Sequence, residues 1–392
     1  MAGPMALPLV ALTYFLLLAG TGAWVPFLAL HLQRRGFEGA EVGGMLAALS
    51  VGRIAATPFW AWLGDRTGKG TRLLQLAAVL STGGAALAIG SDSLLAMVGA
   101  LALYAACRGP MGPLLDAHTV AALERAGHNP HRYGRVRLWG SVGFLAAGFY
   151  AGTRADADPD FPMRLAVGLW AVGAVATFAF PTRVQAVPAA PGPALRALVQ
   201  RRWFVPWVIG CVLQGLSLSA YDSLYAVHIS AQGLPSWWTG AALVAGVSME
   251  VSVMAAGPWV LQRWSPWRML IVGAVVAAAR WGLTAWLHDG LPLTLVQALH
   301  GVSFAAFWLG GVELMRREAP SAIRASAQAL FTVASYGLGP LLMSGMTALL
   351  LDRHGTQAIF GLDAALCVVA CGCFAVAAGR ARLAPAAPDV AP

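Results

Sequence analysis

Runs of apolar residues fill this chain almost from end to end, broken by short polar segments rich in Gly, Pro and Arg. Runs that read as membrane-crossing helices, for which ~20 residues are needed, fall at about 7 to 31, 39 to 62, 72 to 90, 93 to 115, 138 to 152, 162 to 181, 203 to 230, 237 to 261, 268 to 287, 291 to 315, 326 to 350 and 356 to 378, the fifth being the shortest. In lipid a crossing segment must satisfy its own backbone N–H and C=O groups, so each run reads as a helix. The pattern predicts an all-α membrane protein of twelve transmembrane helices. The fifth and sixth runs carry the weakest signal, because Arg154, Asp156, Asp158, Asp160 and Arg164 crowd the loop between them.

Composition agrees with this reading. The chain has 392 residues, 58% of them hydrophobic and only 11% charged, against roughly 25% charged in soluble domains. That excludes an ordinary soluble enzyme. A net charge of +9 invites a nucleic-acid partner until the basic residues are placed. With the N-terminus inside, eighteen Arg or Lys fall in the cytoplasmic segments, and five fall opposite: Arg34, Arg35, Arg154, Arg164 and Arg353. This is the positive-inside asymmetry. It predicts both chain ends in the cytoplasm and no nucleic-acid partner. The lone Lys69 and lone Asn129 suggest a GC-rich bacterial coding sequence, hence a multi-pass protein of the bacterial inner membrane. A monomer in the lipid bilayer is expected.

Several features read as structural. No Lys or Arg precedes Arg34, so the first run lacks the basic leader of a signal peptide and is expected to be retained. The five cysteines, Cys107, Cys211, Cys367, Cys371 and Cys373, lie in apolar runs and read as small hydrophobes rather than disulfide or metal ligands. Trp237, Trp238, Trp264 and Trp267 read as interface anchors. Asp156, Asp158 and Asp160 have calcium-like spacing, but Pro159 interrupts them and the remaining loop ligands are missing, so a solvated external loop is expected.

The chain also matches itself at an offset of 197 residues. Gly36 meets Gly233, Gly43 meets Gly240, Gly140 meets Gly337 and Gly148 meets Gly345. His31 meets His228, Arg66 meets Arg263, Arg53 meets Glu250 and Asp116 meets Glu313. The glycine pairs alone carry little in a chain with 45 Gly; the charged and His pairs carry more. Two pseudo-symmetric six-helix bundles follow, at 1–182 and 203–380, with a cytoplasmic linker at 183–202 and a tail at 381–392. Parallel repeats of this kind place a solute site near mid-membrane, at the seam between halves.

Several segments resemble a known family. The twelve runs, with Asp65-Arg66-Thr67-Gly68-Lys69 after the second, resemble the major facilitator superfamily. Tyr133-Gly134-Arg135-Val136-Arg137-Leu138-Trp139-Gly140 is similar to the start of the fifth helix in the phenylpropionate permease and lactose permease group. Leu299-His300-Gly301-Val302-Ser303-Phe304, and Ser326-Ala327-Gln328 with Tyr336-Gly337-Leu338-Gly339, are similar to that group's tenth and eleventh helices. The resemblance implies the major facilitator fold and a proton symporter, with Arg280 and His300 in coupling and substrate binding, and Asp116 and Arg137 as a pair that contacts substrate. It also implies a gating role for Asp65, Arg66, Gly68 and Lys69. Two departures stand out: Ala61 replaces the motif's leading glycine, and Gln262 stands where the second-half copy of Asp65 would be.

An ionisable group at mid-bilayer costs about 2.5 to 3.5 kcal/mol on insertion scales, so each one retained there needs a partner or a task. Glu250, Arg280 and His300 all fall near mid-depth in the second half, where one pocket can hold an acid, a base and an imidazole. A static ion pair of Glu250 with Arg280 and a proton-carrying role for Glu250 are both compatible with this placement. Ser303 occupies the position of the lactose permease's proton-carrying acid, so either Glu250 takes that role or coupling is absent. Arg53, Arg108 and Arg137 are candidate contacts for an anionic solute, because the planar guanidinium binds carboxylates bidentately. Asp222, Tyr221 and Tyr225 in the seventh run, with Trp24 in the first, suit a ring-bearing or sugar solute as well as a packed core.

The sequence therefore predicts a secondary transporter with no resident cofactor or metal, the proton being its coupling ion. The expected cargo is an imported small organic solute: an aromatic carboxylate such as a phenylpropionate, or a sugar-like or nucleoside-like molecule. The alternative is a proton-coupled drug or metabolite exporter, disfavoured because the fifth run contains no proline. No zinc helix, nucleophile elbow or phosphate loop points to an enzyme.

Overall fold

The computed structural model describes residues 6–125, 132–180, 193–319 and 323–383. Among them the protein is helical, with no strand: α1 Ala6–Trp24, α2 Leu28–Arg34, α3 Gly39–Thr67, α4 Gly70–Ile89, α5 Leu94–Arg108, α6 Met111–Arg125, α7 Tyr133–Arg154, α8 Phe161–Thr177, α9 Pro193–Val199, α10 Phe204–Ala231, α11 Trp237–Ala255, α12 Gly257–Arg263, α13 Pro266–Trp286, α14 Gly290–Glu318, α15 Arg324–Val333, a π-helical turn Ala334–Leu338, and α16 Gly339–Arg382. Residues 183–192 of the expected linker and 384–392 of the tail lie outside the described residues.

Nine stretches among the described residues are long and apolar enough to cross a membrane, which makes this an integral membrane protein. The last of them, Ser326–Arg382, runs 57 residues and breaks at Gly355, whose φ of 69° no helix contains. Phe161–Thr177 is apolar but has 17 residues, and α7 is long enough but less apolar, carrying Arg135, Arg137 and Arg154. Compared with the apolar runs, the helices break where proline or glycine intervenes: after Trp24 ahead of Pro26, and between Arg108 and Met111 at Gly109-Pro110. A proline ring blocks helix propagation into the residue before it.

The offset of 197 residues reappears in the element bounds. Shifted by that amount, α4 falls on 267–286 against the observed Pro266–Trp286 of α13. Gly36 and Gly233, paired by the offset, both adopt positive φ, 88° and 70°, in matching turns. Arg66 lies 5.4 Å from the Trp62 ring, and its mate Arg263 lies 4.3 Å from the Trp259 ring. The copies have not diverged everywhere alike: Asp116 is bound by two tyrosines and an arginine from other helices, whereas Glu313 is held by Arg316 and Arg317 of its own helix.

Helices 1 to 8 pack on one another, as do α10 to α16, and the two groups meet mainly through α3 with α16 and α7 with α11, and also through α2 with α10 and α3 with the π turn. Small residues let the backbones approach. On α7 the buried stripe is Gly140, Gly143, Ala147, Gly148, Ala151 and Gly152, and a Cβ on Gly143 would sit 2.4 Å from the Phe15 carbonyl oxygen of α1. Packing of small residues is the main attraction between helices in lipid, where no hydrophobic drive separates helix from tail. In the second half a Cβ on Gly215 would sit 2.0 Å from the carbonyl oxygen of Ser335 in the π turn. Gly215→Ala should therefore cost on the order of 1–3 kcal/mol of stability, while Gly361→Ala, which has open space at its Cβ, should be neutral. Thermal unfolding of the two purified variants checks this, and equal melting would contradict it.

Candidate functional site

The second-half charges form a chain rather than a direct pair. Arg280, on α13 and 1% exposed, donates through Nε to Gln297 Oε1 at 2.7 Å and through a terminal nitrogen to His300 Nδ1 at 3.0 Å. Guanidinium only donates, so His300 Nδ1 is the acceptor and its proton resides on Nε2. That Nε2 stands 3.8 Å from Glu250 Oε2 on α11. The imidazole thus separates acid from guanidinium. The guanidinium carbon also lies 4.4 Å from the Tyr221 ring and 4.1 Å from the Trp281 ring, which stabilises a cation removed from water. Ser303 donates to the His300 carbonyl and belongs to α14's own backbone bonding.

Beside this chain a cavity of about 100 Å³ opens at the seam. Trp24, Arg53 and Tyr104 line it from the first half, and Asp222, Tyr336 and Ser344 from the second. Opposite charges from opposite halves therefore face one chamber. Behind Trp24 an aromatic group continues outward, Tyr104 stacking on Trp170 at 5.1 Å. On the second-half side Tyr221 packs on Tyr225 at 5.2 Å and on His300 at 5.1 Å. Trp24 and Tyr221 are related by the offset, and the Nε1 of one and the hydroxyl of the other have no hydrogen-bond partner among the described residues. The π turn carries Tyr336 into the cavity wall, a distortion often found at functional sites.

Arg108, Asp116 and Arg137 lie apart from this cavity. Arg108 donates to the Leu17 carbonyl at 2.9 Å and to Thr21 Oγ1 at 2.6 Å, and it lies 5.4 Å from the Trp170 ring, so it ties α5 to α1. Asp116 accepts from Tyr14 at 2.5 Å, Tyr133 at 2.8 Å and Arg137 at 3.2 Å. The Asp116–Arg137 pair expected from the resemblance is present, joined by two tyrosines that the sequence reading did not single out. A larger cavity of about 760 Å³ lies between α1 and α7, lined by apolar residues with Arg132 and Arg135. It holds none of the candidate groups.

At the expected hinge, α3 continues through Asp65 and Arg66 to Thr67, and the chain turns only at Gly68, with φ 61°. The Asp65 side chain lies outside the described residues. Arg66 and Lys69 are exposed and form no ion pair among the described residues.

The opposite end, beside Gly36 and Gly233, is closed by two reciprocal contacts. Asp352 of the second half accepts the α3 backbone N–H of Gly39 with both oxygens, at 2.9 and 2.8 Å. Asp156 of the first half accepts the Ser236 N–H at 2.7 Å and the Ser236 hydroxyl at 2.5 Å, just before α11, and pairs with Arg34 at 2.9 Å. Gly39 and Ser236 are 197 residues apart, so each half offers a carboxylate to the same helix start of the other. A helix N-terminus attracts negative charge. The Asp156 loop, expected to be merely solvated, is therefore half of a clasp; Asp158 and Asp160 instead pair with Arg164. Close backbones reinforce the clasp: a Cβ on Gly43 would lie 2.6 Å from the Ser344 carbonyl oxygen, and one on Gly240 would lie 2.7 Å from Phe149 Cα.

Two helical halves closing on a charged, aromatic-walled chamber define an integral membrane transporter of small solutes. The chain belongs to the MFS_1 like family, whose pattern matches residues 8–362. It is 27% identical over 358 residues to a maltose permease of Geobacillus stearothermophilus, covering 89% of each chain. It is 26% identical over 354 residues to a probable 3-phenylpropionic acid transporter of Escherichia coli, covering 83% of this chain and 86% of that one. The crystal structure of the nucleoside transporter NupG shares the fold, with a TM-score of 0.85 at 17% identity over 95% of this chain and 98% of that one.

Burial alone would raise the pKa of Asp156, but the Ser236 hydroxyl, the Ser236 N–H and Arg34 outweigh it and hold that pKa below the ordinary carboxylate value. A depressed value means that the clasp is at full strength above the ordinary carboxylate pKa of ~3.9 and weakens as pH falls through the lower folded value. Spin-label distances across this end should stay constant from about pH 8 to 5 and lengthen only below about pH 4. In Asp156→Asn they should lose that acid step. An opening near neutral pH in the unsubstituted protein would contradict this.

Proposed function

We propose that this protein is a proton-coupled importer that moves a small organic solute across the bacterial plasma membrane by alternating access. In this reading twelve helices span the bilayer as two bundles, 1–182 and 203–380, joined by a linker at 183–202. Both chain ends and the Gly68 end face the cytoplasm, with a short tail at 381–392. The clasped end is then the outer gate. The charge asymmetry of the loops supports this orientation.

The observation that carries the proposal is the meeting of Arg53 and Asp222, from opposite halves, in one cavity adjoining the Arg280–His300–Glu250 chain. An aromatic carboxylate fits best: its carboxylate takes the Arg53 fork, and its ring lies against Trp24 and Tyr104. A sugar or nucleoside ranks next, using Asp222 and the unpaired donor of Trp24. The relatives named for 3-phenylpropionic acid and maltose support these two classes. A chamber of about 100 Å³ is smaller than the ~300–1,000 Å³ of ordinary ligand pockets. Admission of solute therefore requires the halves to part at the Gly68 end, or the clasp to release at the other.

Coupling follows from the neutral His300. A solute carboxylate at Arg53 adds negative charge beside Asp222, which favours a proton on Glu250 and links the two loads. The loop Asp65, Arg66, Gly68 and Lys69 sets the balance between inward-facing and outward-facing states. Glu250→Gln should abolish accumulation driven by an inward proton gradient in proteoliposomes while leaving solute exchange at equal pH. Probes are 3-phenylpropionate, maltose and uridine, tested in turn. A Glu250→Gln variant that still accumulates its solute with the gradient would sink the coupling role of Glu250.

A further inference from the structure

Asp363 is the most deeply buried acid among the described residues, at 0% exposure, in the part of α16 beyond Gly355. Neither of its oxygens has a hydrogen-bond partner among the described residues. An ionised carboxylate cannot stay bare in an apolar interior, since its desolvation cost far exceeds that of the neutral acid. One group is placed to relieve it. Arg280, on the packed neighbour α13, interacts electrostatically with Asp363, and one terminal nitrogen of its guanidinium is itself without a partner. The remaining donors of Arg280 go to Gln297 and His300 on α14. The other titratable group that interacts with Asp363 is the Cys367 thiol, one turn further along α16. From α10 the Ser217 hydroxyl accepts from Trp281 Nε1 at 2.5 Å, and Trp281 stacks at 4.9 Å on Phe360, one turn before Asp363 on α16.

We propose that Asp363 is a second proton-binding carboxyl, which competes with His300 and Gln297 for the guanidinium of Arg280. The bare oxygens of Asp363 fit the arrangement in which it carries the proton and Arg280 is held by Gln297 and His300. When that proton leaves toward the cavity, the carboxylate draws the Arg280 fork toward α16. His300 Nδ1 is then released. One proton and one guanidinium exchange places, Arg280 remaining charged throughout, so the charge near Asp363 stays balanced in both arrangements. This rests on the proton-coupled reading given above and adds to it a switch on the far side of Arg280 from the solute.

The test uses the full-length protein reconstituted in lipid vesicles. Infrared difference spectra on titration should show a protonated-carboxyl band that disappears in Asp363→Asn, shifts in Asp363→Glu and persists in Glu250→Gln. Asp363→Asn should also carry 3-phenylpropionate, maltose or uridine, whichever the unsubstituted protein moves, down its gradient while losing all stimulation by an inward proton gradient. A band unchanged in both Asp363 variants overturns the proposal, and the Glu variant decides should the Asn variant fail to fold. So does a normal gradient response in Asp363→Asn. Uptake by the unsubstituted protein that ignores the proton gradient instead defeats the coupled reading itself, and that arm involves no substitution at Asp363.

Discussion

A guanidinium with 1% exposure inside a membrane-crossing bundle is the constraint around which the second half is arranged. Arg cannot shed its charge under any ordinary condition, so the protein must supply acceptors and polarisable surfaces where lipid supplies none. Gln297 and His300 provide acceptors from α14, and Tyr221 and Trp281 provide ring faces from α10 and α13. The position of His300 follows from this duty, as does its tautomer, and through the tautomer its reach toward Glu250. A residue that first satisfies a buried charge thereby becomes the connection between that charge and the solute chamber.

The second constraint is that two bundles must touch closely enough to seal and loosely enough to part. Glycine and alanine stripes achieve the first, with backbones in contact at Gly43 and Gly240. The reciprocal clasp of Asp352 on Gly39 and Asp156 on Ser236 achieves the second, because carboxylate contacts at a water-facing helix start are individually worth about a kilocalorie per mole. The seam's own charges, Arg53 and Asp222, line one cavity between the halves.

Much of this was legible in the chain. Apolar runs marked most helices to within a few residues, because a lipid-facing helix needs a continuous apolar surface and little else. The 197-residue repeat was legible for a related reason: Gly36 and Gly233 serve the same left-handed turn, and only glycine enters that conformation freely. The trio Glu250, Arg280 and His300 was legible as polar residues out of place. Their order was not, since which group intervenes depends on helix rotation. Gln297 was recoverable, lying one turn before His300 on the same face, but a neutral amide raises no alarm by composition. Arg108 was legible as a buried charge, but not its bonds to the Leu17 carbonyl and Thr21 hydroxyl of α1, because helix rotation decides which acceptors a guanidinium meets. Asp156 looked solvated because its partner lies 80 residues away in the other half. No local pattern records such a contact.

The account stands on the claim that solute movement and proton movement are tied together through Arg280. The most direct measurement is the pH of a weakly buffered suspension of reconstituted vesicles when 3-phenylpropionate, maltose or uridine is added without an imposed gradient. The account predicts that the medium turns alkaline as the transported solute enters, and that Arg280→Gln vesicles give no such change. Solute entry with no movement of protons in the unsubstituted protein would contradict it.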